Sequence, residues 1–76
     1  LIRDNNIADF GNNANGIYVL ASDNTDVFGN LIDGNGTGQT GIRVQNSSNV
    51  DVGAGHNGGA DRNAVTDVET GVALAG

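Results

Sequence analysis

Two side chains that suit an acidic sugar, Tyr18 and Arg43, lie 25 residues apart in the sequence. A tyrosine ring offers a flat stacking surface, and a guanidinium forms charge-assisted hydrogen bonds with a carboxylate. Side by side, the two residues would bind a uronic acid. The simpler interpretation is a solvent-facing arginine that lies along a tyrosine ring, and it needs no ligand.

Three aspartates, Asp23, Asp26 and Asp51, carry the oxygen ligands that calcium prefers. Asp26 and Asp51 are also 25 residues apart, so a repeat of that length would bring their carboxylates to within about 5 Å of each other. A bound Ca²⁺ would relieve the repulsion between them. Solvent and salt would relieve it too, because exposed charges are screened, and we favour that interpretation. Calcium remains the alternative, and we expect no other cofactor.

A third group of polar residues, His56, Asp61 and Arg62, lies in a glycine-rich stretch of the kind in which new contacts arise most freely. One histidine in such a stretch is usually just exposed, since a site needs several converging groups. The chain also has no Cys, no G-x-S-x-G motif and no phosphate-binding loop before a helix. We therefore assign no catalytic residue to this segment and favour a non-enzymatic role for it.

An internal repeat must position all of these residues. At a shift of 25 residues, the segment from Asn5 to Val27 matches the segment from Asn30 to Val52. A third copy starts at Asn63, 33 residues after Asn30, so it follows an insertion of about eight residues, and its next turn is three residues shorter. Each copy contains a short stretch with alternating apolar residues, namely GIYVL, GIRVQ and GVALA. Alternation with a period of two indicates short strands.

Stacking of the three copies predicts an all-β fold, a right-handed parallel β-helix of about three coils of 25 residues. No coil can bury its apolar residues alone, but stacked coils pair their strand edges and line like residues into columns. The coils would span residues 1–25, 26–50 and 51–76 of one segment of a longer solenoid. The predicted interior columns are Ile17/Ile42/Val72, Val19/Val44/Leu74, Ile7/Ile32/Val65 and Ile2/Val27/Val52.

Two further columns involve the turns and the strand entries. An asparagine recurs at the same turn position of each copy and predicts a ladder of side-chain amides that hydrogen-bond from coil to coil. These asparagines are Asn5, Asn30 and Asn63. The glycines at the strand entries predict a backbone conformation that a residue with a Cβ would resist. They are Gly16, Gly41 and Gly71.

The motifs N-x-I, G-I-x-V and S-x-N-x-x-V recur in the copies, as NNI, GIYV and SDNTDV in the first. In these motifs the chain resembles the parallel β-helix repeats of the pectate-lyase-like superfamily. Its third copy is similar to a glycine-rich variant of large secreted or surface-attached bacterial proteins. Superfamily enzymes act on acidic polysaccharides, with calcium on Asp residues and an Arg or Lys that removes a proton. The resemblance therefore implies, as an alternative function, part of a polysaccharide lyase or uronate epimerase with Arg43 near its cleft.

The charge of the chain narrows the range of partners. Its net charge is −6, and its three basic residues are single arginines without a cluster, so neither nucleic acid nor anionic lipid is an expected partner. No apolar run is long enough to span a membrane. We expect an extracellular, cell-surface or periplasmic protein whose segment is structural or binds polysaccharide, with neighbouring coils as its other contacts. Because both end coils expose strand edges, the isolated chain should associate or stay largely unfolded.

Overall fold

The computed structural model describes residues 1–8, 10–53 and 62–75. Short strands joined by turns make up these residues, and no helix occurs among them. The strands are β1 (Ile2–Arg3), β2 (Asn6–Ala8), β3 (Asn15–Leu20), β4 (Asp26–Phe28), β5 (Leu31–Asp33), β6 (Thr40–Gln45), β7 (Asp51–Gly53), β8 (Ala64–Thr66) and β9 (Thr70–Ala75).

The strands form three parallel sheets of three strands each, ordered β1-β4-β7, β2-β5-β8 and β3-β6-β9. Each run of three consecutive strands thus contributes one strand to every sheet. We call these runs the first rung (β1–β3), the second rung (β4–β6) and the third rung (β7–β9). This all-β arrangement of parallel sheets is the one that the repeat predicts, and it is compatible with a parallel β-solenoid.

The four predicted interior columns are confirmed by the strand register, as in the column in which Ile17 pairs with Ile42 and Ile42 with Val72. Burial is deepest in the second rung, where Val27, Ile32 and Ile42 are completely buried. A rung on each side covers them. The apolar side chains of the second rung are thus the centre of the core, and those of the first rung, with Val52 and Val65 of the third, pack against them.

The predicted amide ladder is also confirmed. The Nδ2 of Asn5 donates to the Oδ1 of Asn30 at 3.0 Å, and the Nδ2 of Asn30 donates to the Oδ1 of Asn63 at 3.0 Å. The same two oxygens accept the backbone N–H groups of Asn5 and Asn30, each at 3.1 Å. One column of side chains therefore satisfies the turn backbone of successive rungs.

The glycine column forms, but the reason given for it above is wrong. Gly16, Gly41 and Gly71 are not among the residues with positive φ. Space excludes a side chain instead: a Cβ at Gly16 would lie 2.8 Å from the carbonyl oxygen of Gly41, and one at Gly41 would lie 2.7 Å from that of Gly71. Gly16 and Gly41 therefore need glycine because the backbone of the following rung approaches too closely for a Cβ, whereas a Cβ at Gly71 would meet no described atom within 4 Å.

Left-handed backbone conformations recur from the first rung to the second. Asn24 has a φ of 59° and Asn49, 25 residues later, a φ of 57°. The side chains of these two asparagines also hydrogen-bond to each other, at 2.7 Å. The other pairs with this spacing are Asp4 with Gly29, Asn13 with Gly38 and Ala21 with Asn46. The turns thus repeat with the same spacing as the strands.

Candidate functional site

The sheet of β3, β6 and β9 places the two sugar-binding candidates side by side. Its strands are six residues long, and their buried and exposed side chains alternate in β3 because Ile17 and Val19 face the core. Tyr18 and Arg43 are register partners between these residues, and Ala73 follows Arg43 in the same column. The predicted pairing of Tyr18 with Arg43 is therefore present on one sheet face.

Arg43 is half-buried, and neutral groups hold its guanidinium. The Nε donates to the Oδ1 of Asn15 at 2.9 Å, and the Nη2 donates to the Oγ1 of Thr40 at 3.1 Å. No carboxylate among the described residues lies within ion-pair distance of Arg43. A guanidinium has five N–H groups, so three of them remain for a ligand after these two bonds.

Tyr18 is 45% exposed, and its hydroxyl donates to the Oε1 of Gln45 on the neighbouring strand. That bond ties the polar end of the side chain and leaves much of the residue open to solvent. A cation over an aromatic ring does occur in the structure, but elsewhere: the Arg3 guanidinium lies 4.8 Å from the centre of the Phe28 ring. The sequence reasoning missed that pair.

The three calcium candidates are all exposed, and two of them meet. Asp26 and Asp51 are register partners on β4 and β7, as the repeat predicts. The Oδ1 of Asp23 accepts the backbone N–H of Ser48 at 2.8 Å, so this carboxylate supports a turn. Within residues 1–8, 10–53 and 62–75, no group of three or more acidic, His or Cys side chains converges on one point. Calcium binding stays a prediction.

The inserted stretch before the third copy lies mostly outside the described residues, and so do His56 and Asp61. Arg62 is exposed and lines a cavity of about 270 Å³ at the third rung, together with the apolar side chains of Val65 and Val72. The possible role of the inserted stretch as a contact surface therefore stays a prediction.

Gln39, which the sequence reasoning missed, is completely buried between the first two rungs. Its Oε1 accepts the backbone N–H groups of Asn35 and Gly36, at 2.7 and 3.2 Å. Its Nε2 donates to the backbone carbonyl of Phe10 at 2.7 Å. The repeat gave no signal for this role, because Gln39 aligns with Ala14 in the first copy. It fixes the turn that leads into β6 and hence the start of the strand that carries Arg43.

Comparisons with known proteins identify no family for this chain, so its resemblance to a family rests on the repeat motifs alone. No family model matches the chain, and no curated protein or solved structure matches it significantly. The described residues contain no helix that is long and apolar enough to cross a membrane.

Proposed function

We propose that this chain is a structural and glycan-binding segment of an extracellular right-handed parallel β-helix protein, similar to the pectate-lyase-like superfamily. Its ligand is an acidic polysaccharide, which lies along the outer face of the β3-β6-β9 sheet at Tyr18 and Arg43. The observation that carries this proposal is the setting of Arg43, whose guanidinium is held by neutral partners. The parallel stacking of the strands and the repeat motifs support the β-helix.

The hydrogen bonds to Asn15 and Thr40 fix the guanidinium before any ligand arrives. A fixed side chain loses less conformational entropy on binding, so more of the interaction free energy contributes to affinity. The chain has nine acidic residues, yet none of the described ones pairs with Arg43. A uronate carboxylate would supply the negative partner and accept the remaining N–H groups.

Tyr18 supplies the second contact that a sugar needs. The apolar face of a pyranose ring packs on aromatic rings, and a half-exposed tyrosine with its hydroxyl tied to Gln45 offers such a surface. Strand spacing puts the two side chains about 4.8 Å apart along the stack, which is the length scale of a single sugar ring. One uronate residue would thus contact both side chains.

Binding of polygalacturonate and of a neutral glucan to the protein tests the proposal. We expect polygalacturonate to bind and Arg43→Gln to weaken binding about 10- to 100-fold, since a hydrogen bond to a charged group contributes about 1.5–3 kcal/mol. Arg3→Gln is the matched control, because it removes the same charge from β1, where Arg3 pairs with Asp4. Equal losses for both variants would show only a general charge effect and contradict the proposal.

The same samples test the lyase or epimerase alternative. A lyase would release unsaturated uronates, which absorb in the ultraviolet, and calcium should be present in the assay because superfamily enzymes bind it. Binding without such a product fits the glycan-binding segment. If an unsaturated product forms and Arg43→Gln abolishes its formation, the lyase interpretation would replace the proposal of a glycan-binding segment.

A further inference from the structure

Two Asn-Gly pairs, Asn15-Gly16 and Asn35-Gly36, lie among the described residues. In such a pair the backbone nitrogen of the glycine can attack the side-chain amide of the asparagine, because glycine has no Cβ to hinder ring closure. The nitrogen loses its proton and bonds to Cγ, the Cγ–Nδ2 bond breaks, and ammonia leaves. Water then opens the resulting succinimide to aspartate or to isoaspartate. Water is the only other reactant, so the local structure of each pair sets its rate.

Asn15 is held in an extended form that opposes this ring closure. It lies in strand β3 as the register partner of Thr40, whose N–H donates to the carbonyl of Ala14 at 3.0 Å. Its Oδ1 accepts the Nε of Arg43 at 2.9 Å. Ring closure requires the side chain and the following peptide group to turn toward each other, so this part of β3 would first have to leave its sheet.

Asn35 lies in the turn between β5 and β6, and its side chain is already folded toward the following peptide group. The residue is exposed, and its Oδ1 accepts the backbone N–H of Thr37 at 3.3 Å. A bond from two positions later is an Asx turn, which brings the side chain over the intervening nitrogen, that of Gly36. The Thr37 N–H also stabilises the negative charge that develops on Oδ1 during the attack. Asn35 is therefore arranged much closer to the reacting geometry than Asn15.

The main restraint on this reaction is a pair of hydrogen bonds at the Gly36 nitrogen. Its N–H donates to the carbonyl of Asp67 at 2.7 Å and to the Oε1 of Gln39 at 3.2 Å. Attack on Asn35 needs this one N–H group to leave both acceptors, whereas attack on Asn15 needs part of a six-residue strand to open. Opening costs less free energy in an exposed turn than in a paired strand.

We propose that Asn35 is a site of spontaneous deamidation, at which the folded protein converts a side-chain amide into a carboxylate or an isoaspartyl link. The isoaspartyl product lengthens the main chain by one atom ahead of Gly36 and shifts the N–H that donates to Gln39. The same turn leads into β6, so the modification loosens the start of that strand. Asn15 stays intact while the protein is folded.

Peptide mapping by mass spectrometry during long incubation at neutral pH follows the amide-to-acid mass increase at both pairs in one sample. In buffer we expect Asn35 to react at least about tenfold faster than Asn15, which corresponds to a difference of about 1.4 kcal/mol in opening free energy. In concentrated urea the two pairs should react at similar rates, because neither is then held by the fold. Equal rates in buffer, a faster Asn15, or the same difference in urea as in buffer would each overturn the proposal.

The variant Asn35→Gln tests the effect of the modification on the turn. Glutamine retains the amide but has to close a larger ring, which forms far more slowly. Incubated wild-type protein should lose stability in urea titrations as its modified fraction rises, and incubated Asn35→Gln should unfold at the same urea concentration as the fresh variant. Equal losses in both proteins, or modified wild type that is as stable as fresh protein, would contradict the effect on the turn.

Discussion

At the scale of single residues, Asn30 links all three rungs by hydrogen bonds. It is 1% exposed and takes part in hydrogen bonds with the asparagines of both neighbouring rungs, and its amide also donates to the backbone carbonyls of Ile2 and Phe28. A buried polar side chain lowers stability unless it is hydrogen-bonded, and this one is fully used. The backbone N–H of Asn5 in turn depends on the Asn30 side chain as its acceptor.

Replacement of Asn30 by alanine should therefore be strongly destabilising. The change removes the acceptor of the Asn5 backbone N–H and the amide that donates to the carbonyls of Ile2 and Phe28, and each buried group left unsatisfied costs about 1–3 kcal/mol. We expect Asn30→Ala to lower the free energy of unfolding by about 2–4 kcal/mol in urea titrations at a fixed protein concentration.

Asn12→Ala is the control for this change. Asn12 is exposed and accepts one long bond, 3.3 Å from the Nδ2 of Asn35, so its loss should cost less than about 0.5 kcal/mol. Similar losses for the two variants would mean that the ladder contributes little to stability.

The contrast between Asn30 and Gln39 shows how far a repeat can predict single residues. The asparagines recur at matched positions, so stacking alone brings their amides together, and the ladder could be read from the sequence. Gln39 is as deeply buried, but its partners are backbone groups in turns of unequal sequence. Tyr18 and Arg43 were placed correctly by their spacing, whereas the bonds of Arg43 to Asn15 and Thr40 depend on side-chain directions that spacing does not give.

At the scale of elements, the left-handed turn positions of the first two rungs recur with the spacing of the strands, and one of them carries a residue that disfavours this conformation. Asn46 begins the turn after β6 with a φ of 51°, and Ala21 occupies the same place after β3 with a φ of 50°. The left-handed conformation costs an L-residue with a Cβ roughly 1–2 kcal/mol, whereas asparagine tolerates it. Ala21 is therefore a strained position at an exposed turn.

The variant Ala21→Asn should relieve this strain. We expect it to raise the free energy of unfolding by about 0.5–1 kcal/mol, with a higher midpoint in thermal unfolding followed by circular dichroism. Ala8→Asn is the control, because Ala8 is exposed in strand β2, where asparagine is unfavourable. If Ala8→Asn were to stabilise the protein equally, the gain would come from the added amide and not from the turn.

The strands could be predicted from alternation, and the structure extends each of the three longest by one residue at its start, as in β6, which begins at Thr40. The glycine column could be located but not explained. Periodicity shows that Gly16 and Gly41 share a position, but the approach of a carbonyl from the next rung is a property of the stacked backbone. Leu74 is exposed because it lies in the outermost described rung. Its alignment with Val19 and Val44, which are buried, does not predict that exposure.

At the scale of the whole molecule, register is the property on which the proposed uronate site depends. A slip by one residue would turn Ile42 and Val44 outward and separate Tyr18 from Arg43. The site requires that equivalent residues of successive rungs lie side by side.

The most direct test of this stacking uses paired cysteines, because the chain has no cysteine of its own. Leu20 and Gln45 are register partners, so the double variant Leu20→Cys/Gln45→Cys places two Cα atoms about 4.8 Å apart, within disulfide range. Tyr18→Cys/Gln45→Cys is offset by two residues, which gives roughly 8 Å and is too far for a disulfide without backbone movement.

After mild oxidation, mass spectrometry of the denatured protein would detect the cross-link within one chain. We expect the Leu20/Gln45 pair to form an intramolecular disulfide readily and the Tyr18/Gln45 pair to remain reduced. Equal oxidation of both pairs, or a disulfide in the offset pair alone, would contradict the in-register parallel stack.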